Sequence, residues 1–188
     1  MIKNITRIEP IAMILLMWLL YLIALLSPIS FLNFGIMPRS LGGLIGLFTA
    51  PFVHLGLYHI LSNSIPFVIL GLLVRMEGRA RFIKVTAIIM VIGGLVPWLF
   101  SGADSIVGAS GLVFGYWAYL LCNGIYTRSL KAIAIAIVVF IVYGTMFFSL
   151  FRFYPGVSFA GHLGGALGGF CASYVLTNFL SSKAADNK

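Results

Sequence analysis

Six apolar stretches, separated by short charged or turn-forming segments, leave this chain of 188 residues few possible folds. They run roughly Ile11–Phe34, Leu57–Val74, Phe82–Phe100, Val107–Tyr126, Leu130–Phe151 and Val157–Leu180. A transmembrane helix needs about 20 mostly apolar residues, and each stretch is close to that length. Composition agrees: 61% of the residues are hydrophobic and 9% charged, against about 25% charged in an ordinary soluble domain. A soluble globular domain, a disordered chain and a nucleic-acid binder are therefore excluded. A further apolar stretch, Leu41–Thr49, is too short to span and carries Gly42, Gly43 and Gly46. It reads as an interfacial or re-entrant segment between the first two spans. The expected fold is an all-α membrane protein with six transmembrane helices, forming a single domain over residues 1–188. Its tails, 1–10 and 181–188, are short.

The formal net charge of +8 sets the expected orientation. Cytoplasmic loops of membrane proteins carry an excess of Lys and Arg. With a cytoplasmic N-terminus, Lys3, Arg7, Arg75, Arg79, Arg81, Lys84, Arg128, Lys131, Lys183 and Lys188 fall inside, and only Arg39 and Arg152 fall outside. Both termini are then cytoplasmic, and the second, fourth and sixth spans begin at the outer face. The basic balance thus needs no anionic partner such as nucleic acid. Lys3 and Arg7 ahead of an apolar run resemble the start of a signal peptide, but the run is long and no clean small-x-small cleavage site follows it. Short tails and the lack of a transit-type segment favour a multi-pass protein of a bacterial inner membrane.

Polar groups inside a bilayer are costly and point to function. The histidines, His54, His59 and His162, lie near the starts of the second and sixth spans. Asn63 follows in the second, and Ser110 near the start of the fourth. All these spans start at one face, so the groups share one depth. Ser110 is six residues past Asp104, a helical rise of about 9 Å. In the sixth span Gly161, Gly165 and Gly169 recur every four residues, as do Gly164 and Gly168; in the fourth, Gly111 and Gly115 do the same. Such stripes let helix backbones approach closely, which would bring Ser110 and His162 within reach of each other. His59 and Asn63 are four apart and share a helix face. They suit an oxyanion hole, or else satisfy each other. His54 points about 140° away from His59 on an ideal helix, which places it in the incoming turn as a brace. Pro66 kinks the second span or frees a carbonyl near the site. Cys122 and Cys171 read as small core residues.

The four acids narrow the mechanism. Glu9, Glu77, Asp104 and Asp186 all lie outside the spans. An aspartyl dyad needs two close carboxylates, and no His-Glu-x-x-His motif is present. The histidines lack supporting Cys, Asp or Glu, so neither metal nor cofactor is expected. A Ser110–His162 dyad remains, with His162 as general base and then acid.

These residues resemble the rhomboid family of intramembrane serine proteases. The matching pieces are His54-x4-His59-x3-Asn63, Gly108-Ala109-Ser110-Gly111 and Ala160-Gly161-His162-x2-Gly165-x3-Gly169. The resemblance implies Ser110 as nucleophile and His162 as base. It implies oxyanion donors at His59, Asn63 and the Ser110 N–H, with Ala109 N–H as a further candidate, and His54 as a structural histidine. Gly108, Gly111, Phe114, Gly165 and Gly169 support the site. It implies substrates that are transmembrane proteins, cut near the outer face. Leu130–Phe151 would be the mobile helix that admits them, Arg152–Phe159 a cap, and Leu41–Thr49 a membrane-embedded loop. The chain departs from the family at Ile45-Gly46, where a Trp-Arg pair is frequent, at Arg75-Met76-Glu77-Gly78, and at Phe114, where a Tyr is common. Two other readings compete: an inactive rhomboid-fold protein that binds membrane helices, and a transporter with a histidine relay. The transporter predicts polar groups at the midplane and paired broken helices, neither of which the sequence has. Inactive relatives typically lack the Ser or the His, and this chain has both.

Overall fold

A computed structural model describes residues 8–28, 30–151 and 158–185, with side chains through 178. Its α-helices are α1 (Ile8–Leu26), α2 (Gly46–Thr49), α3 (Leu57–Arg75), α4 (Arg79–Phe100), α5 (Ser110–Thr127), α6 (Leu130–Tyr143), α7 (Met146–Ser149) and α8 (Phe159–Ala185). No strand occurs among the described residues; one isolated antiparallel bridge joins Ile36 to Ile106. By length and apolar character α1, α3, α4 and α8 can each cross a membrane, whereas α6 is shorter. α5 has 18 residues but carries Asn123 and several aromatics and is the packed centre, touching α3, α4, α6 and α8.

α1 shows why this bundle needs lipid. Its buried residues, Pro10, Ile14, Met17 and Tyr21, form one stripe at helical spacing. Leu15, Leu19, Leu22, Ile23 and Leu25 around them are exposed. Apolar surface of that extent is stable where hydrocarbon covers it.

The helices differ most from the expected stretches at the first, fourth and fifth, and the two cysteines differ as well. α1 stops at Leu26 rather than Phe34, because Pro28 disfavours helical backbone at the residue before it; Phe31–Phe34 is a separate 3₁₀ turn. The fourth span starts at Ser110 rather than Val107, because Gly108 has φ +109°. The fifth breaks into α6 and α7: after Gly144, Phe147 N–H and Phe148 N–H donate to the carbonyls of Gly144 and Thr145, one residue tighter than an α-helix. Cys122 and Cys171 are half-buried free thiols rather than core residues. The expected cap, Arg152–Phe159, lies mostly outside the described residues, as do 1–7 and 186–188 of the tails.

Leu41–Thr49 folds into a 3₁₀ turn (Gly42–Ile45) and α2, followed by a second turn, Ala50–Phe52. The connection is strapped to the far end of α4. Arg39 N–H donates to Trp98 O at 2.9 Å, Trp98 Nε1 to Ser40 O at 2.9 Å, and Arg39 Nη1 to Ser101 O at 2.8 Å. At the opposite end of the bundle, Glu9 pairs with Arg75 at 2.6 Å and Arg79 at 2.7 Å. Glu77 there accepts from Tyr119 Oη at 2.8 Å and Asn123 Nδ2 at 3.1 Å, and pairs with Arg81 at 3.4 Å. The bundle thus has a charged end and, facing away from it, the helix starts that carry Ser110, His59 and His162.

α8 joins its neighbours through glycine. A Cβ on Gly165 would overlap the carbonyl oxygen of Gly111, and one on Gly169 that of Gly115. On the adjacent face, a Cβ on Gly164 would overlap the carbonyl of Gly93, and one on Gly168 would lie 3.0 Å from Ile89 Cα. The two stripes of α8 therefore serve two partners, α5 and α4. Adding atoms to so close a contact costs about 1–3 kcal/mol. Gly169→Ala is expected to lower the thermal unfolding midpoint of the detergent-solubilised protein. Gly102→Ala, where a Cβ meets nothing within 4 Å, leaves it unchanged. Equal midpoints would show that α5 and α8 separate freely.

Candidate active site

The turn before α5 sets Ser110 in place. Gly108 N–H donates to Ala50 O at 2.9 Å. The positive φ of Gly108 then swings the chain into the helix, a conformation costly for other residues. A Cβ there would also collide with Nε2 of His59, so both backbone and space require glycine. Ser110 becomes the first residue of α5, where backbone N–H groups have no intrahelical acceptor. Its N–H and hydroxyl are thus near one another at the open end of a helix.

His54 is buried in the loop before α3, and its Nε2 accepts the Ala109 N–H at 3.3 Å. That bond requires an unprotonated Nε2. The Ala109 N–H is consequently engaged, whereas the Ser110 N–H has no acceptor among the described residues. The His54 and His59 rings meet edge to face with centroids 4.9 Å apart.

Asn63 is buried, and its Nδ2 donates to the His59 backbone carbonyl at 2.8 Å. It does not bond the His59 imidazole, so the two side chains do not satisfy each other. A carboxamide nitrogen has two hydrogens; one fixes the side chain and the other remains to face the cavity. Pro66, inside α3, has no N–H to give the carbonyl of Ser62, leaving that carbonyl without its helical donor.

His162 enters from α8. Ser158 caps this helix: its Oγ accepts the Gly161 N–H at 3.0 Å, and its carbonyl accepts the His162 N–H at 3.0 Å. The imidazole stacks on Phe114, centroids 4.2 Å apart and planes 24° apart. The ring at 114 therefore stacks on the histidine without a hydroxyl. Nδ1 of His162 is buried and has no hydrogen-bond partner among the described residues. No hydrogen bond joins it to Ser110 among them either; such bonds are often long in a substrate-free site and tighten on binding.

Ser110, His162, His59, Asn63, Gly108, Gly111, Phe114 and Gly165 all line one cavity of about 1290 Å³. His54 lies behind it, bracing the turn, and Gly169 lies one turn deeper in the α5–α8 contact. Sequence reasoning missed Ser158, although a Ser directly before a helix is a capping signal. It also missed Met146 and Ser149 of α7, which reach the cavity. Among the described residues no cluster of three or more His, Cys, Asp or Glu could hold a metal ion.

Comparison with known proteins places this geometry in a class. The rhomboid domain model matches residues 41–179. An uncharacterized protein of Mycobacterium tuberculosis is 39% identical over 171 residues, covering 85% of this chain and 71% of the relative. The rhomboid protease GluP of Bacillus subtilis is 31% identical over 134 residues, 69% of this chain and 25% of GluP. RHOMBOID-like protein 1 of Arabidopsis thaliana is 28% identical over 132 residues, 69% and 33%. The chain belongs to the rhomboid family, whose members are typically intramembrane serine proteases and include inactive ones.

His54→Ala would leave the buried Ala109 N–H without an acceptor, at a cost of about 1–3 kcal/mol. The variant is expected to unfold at lower temperature in detergent than the parent protein. An unchanged midpoint would mean that the turn holds Ser110 without His54.

Proposed function

We propose that this protein is an intramembrane serine endopeptidase with a Ser110–His162 dyad. The observation that carries this reading is the convergence of Ser110, His162, His59 and Asn63 on one cavity at one end of the bundle. In the proposed reaction Ser110 Oγ attacks the scissile carbonyl while His162 takes its proton. The oxyanion that forms is met by the Ser110 N–H, the free Asn63 N–H and His59. Collapse of the tetrahedral intermediate breaks the C–N bond, and His162 returns the proton to the leaving amine. Water, deprotonated by His162, then hydrolyses the acyl-enzyme. Stacking on Phe114 keeps the imidazole in register without a carboxylate behind it: Glu9 and Glu77 are at the other end of the bundle, and Asp104 is exposed in the α4–α5 loop with no bond to His162 among the described residues.

The substrates are transmembrane proteins cut near the outer face of a bacterial inner membrane. Six spans with both termini in the cytoplasm are part of the same proposal. The charged end of the bundle, with Arg75, Arg79, Arg81 and Lys84, supports that orientation, since positive residues favour the cytoplasmic side. A reporter fused after Lys188 is expected to be active in the cytoplasm and silent outside; the reverse would break the topology.

The chemistry is tested by cleavage of a transmembrane reporter substrate in proteoliposomes. Ser110→Ala and His162→Ala are expected to abolish cleavage while the protein remains folded. Asn63→Ala is expected to slow it about ten- to a thousandfold, the loss of one oxyanion donor. Normal turnover by Ser110→Ala would remove the nucleophile assignment. An inert parent protein that still captured the reporter would favour the helix-binding reading.

A further inference from the structure

A second cavity, of about 530 Å³, opens at the charged end, between α4, α5, α6 and α8 and away from Ser110. Arg81, Lys84 and Lys131 line it, against the single carboxylate of Glu77. That carboxylate is already occupied by Arg81, Tyr119 and Asn123. Arg81 is itself held by Tyr119 Oη at 3.0 Å and the Leu176 carbonyl at 3.0 Å. Lys84 and Lys131 are exposed and have no carboxylate within ion-pair distance; the ion pairs among the described residues use Arg75, Arg79 and Arg81. Two uncompensated ammonium groups thus line one hollow whose walls are largely apolar. The start of α6 adds to them: Ser129 caps its Ala132 N–H at 3.2 Å, and the N–H groups of the first turn favour an anion.

The neighbours of these lysines are apolar and exposed. Ile83 precedes Lys84, and Leu130 and Ile133 flank Lys131. An anion bound between the lysines would therefore have hydrocarbon-compatible surface on both sides. Basic pockets between membrane helices suit lipid headgroups. We propose that this cavity binds the headgroup phosphate of an anionic glycerophospholipid, with its acyl chains lying along the α4 and α6 surfaces. The same lipid would tie α6 to α4 at the end of the bundle remote from the catalytic cavity.

Native mass spectrometry of the full-length protein with added phosphatidylglycerol tests this. The parent protein is expected to retain phosphatidylglycerol in preference to phosphatidylcholine. Each cation at a charged membrane surface contributes about fivefold in affinity, so Lys84→Gln/Lys131→Gln is expected to bind about thirtyfold more weakly. Lys84→Arg/Lys131→Arg retains binding, which separates loss of charge from loss of fold. Arg128→Gln removes one charge at the same end, from a residue that does not line the cavity, and weakens binding about fivefold at most. Equal retention by the double Gln variant and the parent would overturn the proposal, as would equal loss in Arg128→Gln. Displacement by inorganic phosphate at the same concentration would overturn it too, because the ligand would then be the free anion.

Discussion

The contact between α5 and α8 governs everything else in this molecule. Where Gly165 meets the Gly111 carbonyl and Gly169 the Gly115 carbonyl, the two backbones touch with no side chain between them. Ser110 and His162 stand at the starts of these helices, beside that contact. Both have short side chains, so the spacing of the backbones fixes what they can reach. Lipid provides little hydrophobic drive for two apolar helices to associate; close packing of small residues takes its place. The same stripes that hold the bundle together therefore set the distance on which the proposed chemistry depends.

The second constraint is the separation of charge from site. Glu9, Arg75, Glu77, Arg79 and Arg81 pair at one end, while the cavity with Ser110 and His162 opens at the other. Buried between them, Thr86 Oγ1 and Tyr116 Oη share a hydrogen bond of 2.8 Å, satisfying polar atoms that would be costly alone. Thr86 and Tyr116 are thus placed as a pair, while Ser110 and His162 are directed at the cavity. Asn63 does both: one hydrogen is spent on the His59 carbonyl and the other is left for a ligand.

Much of this was legible in the sequence, for reasons that differ residue by residue. The glycine stripes were readable because four-residue spacing means one helix face, although spacing alone did not say that α8 uses one stripe for α5 and the other for α4. His54 in the incoming turn followed from its angle to His59. The break after Gly144 was not legible, since no charge or proline interrupts Ala132–Phe151 and a single glycine is tolerated in a helix at about 1 kcal/mol. The network of Glu77, Arg81, Tyr119 and Asn123 was also invisible. Glu77 and Arg81 are four apart, and so are Tyr119 and Asn123, but only the packing of α4 on α5 makes the two pairs meet. The engagement of Ala109 N–H by His54 similarly depends on a loop crossing that no periodicity encodes.

The central claim is that Ser110 is activated by its surroundings. It is tested most directly by exposing the purified, detergent-solubilised protein to a fluorophosphonate probe beside its Ser110→Ala variant. The account predicts covalent labelling of the parent protein and none of the variant. Equal labelling of the two, or none of either while both remain folded, would contradict it and leave Ser110 and His162 as packing groups at the head of two close helices.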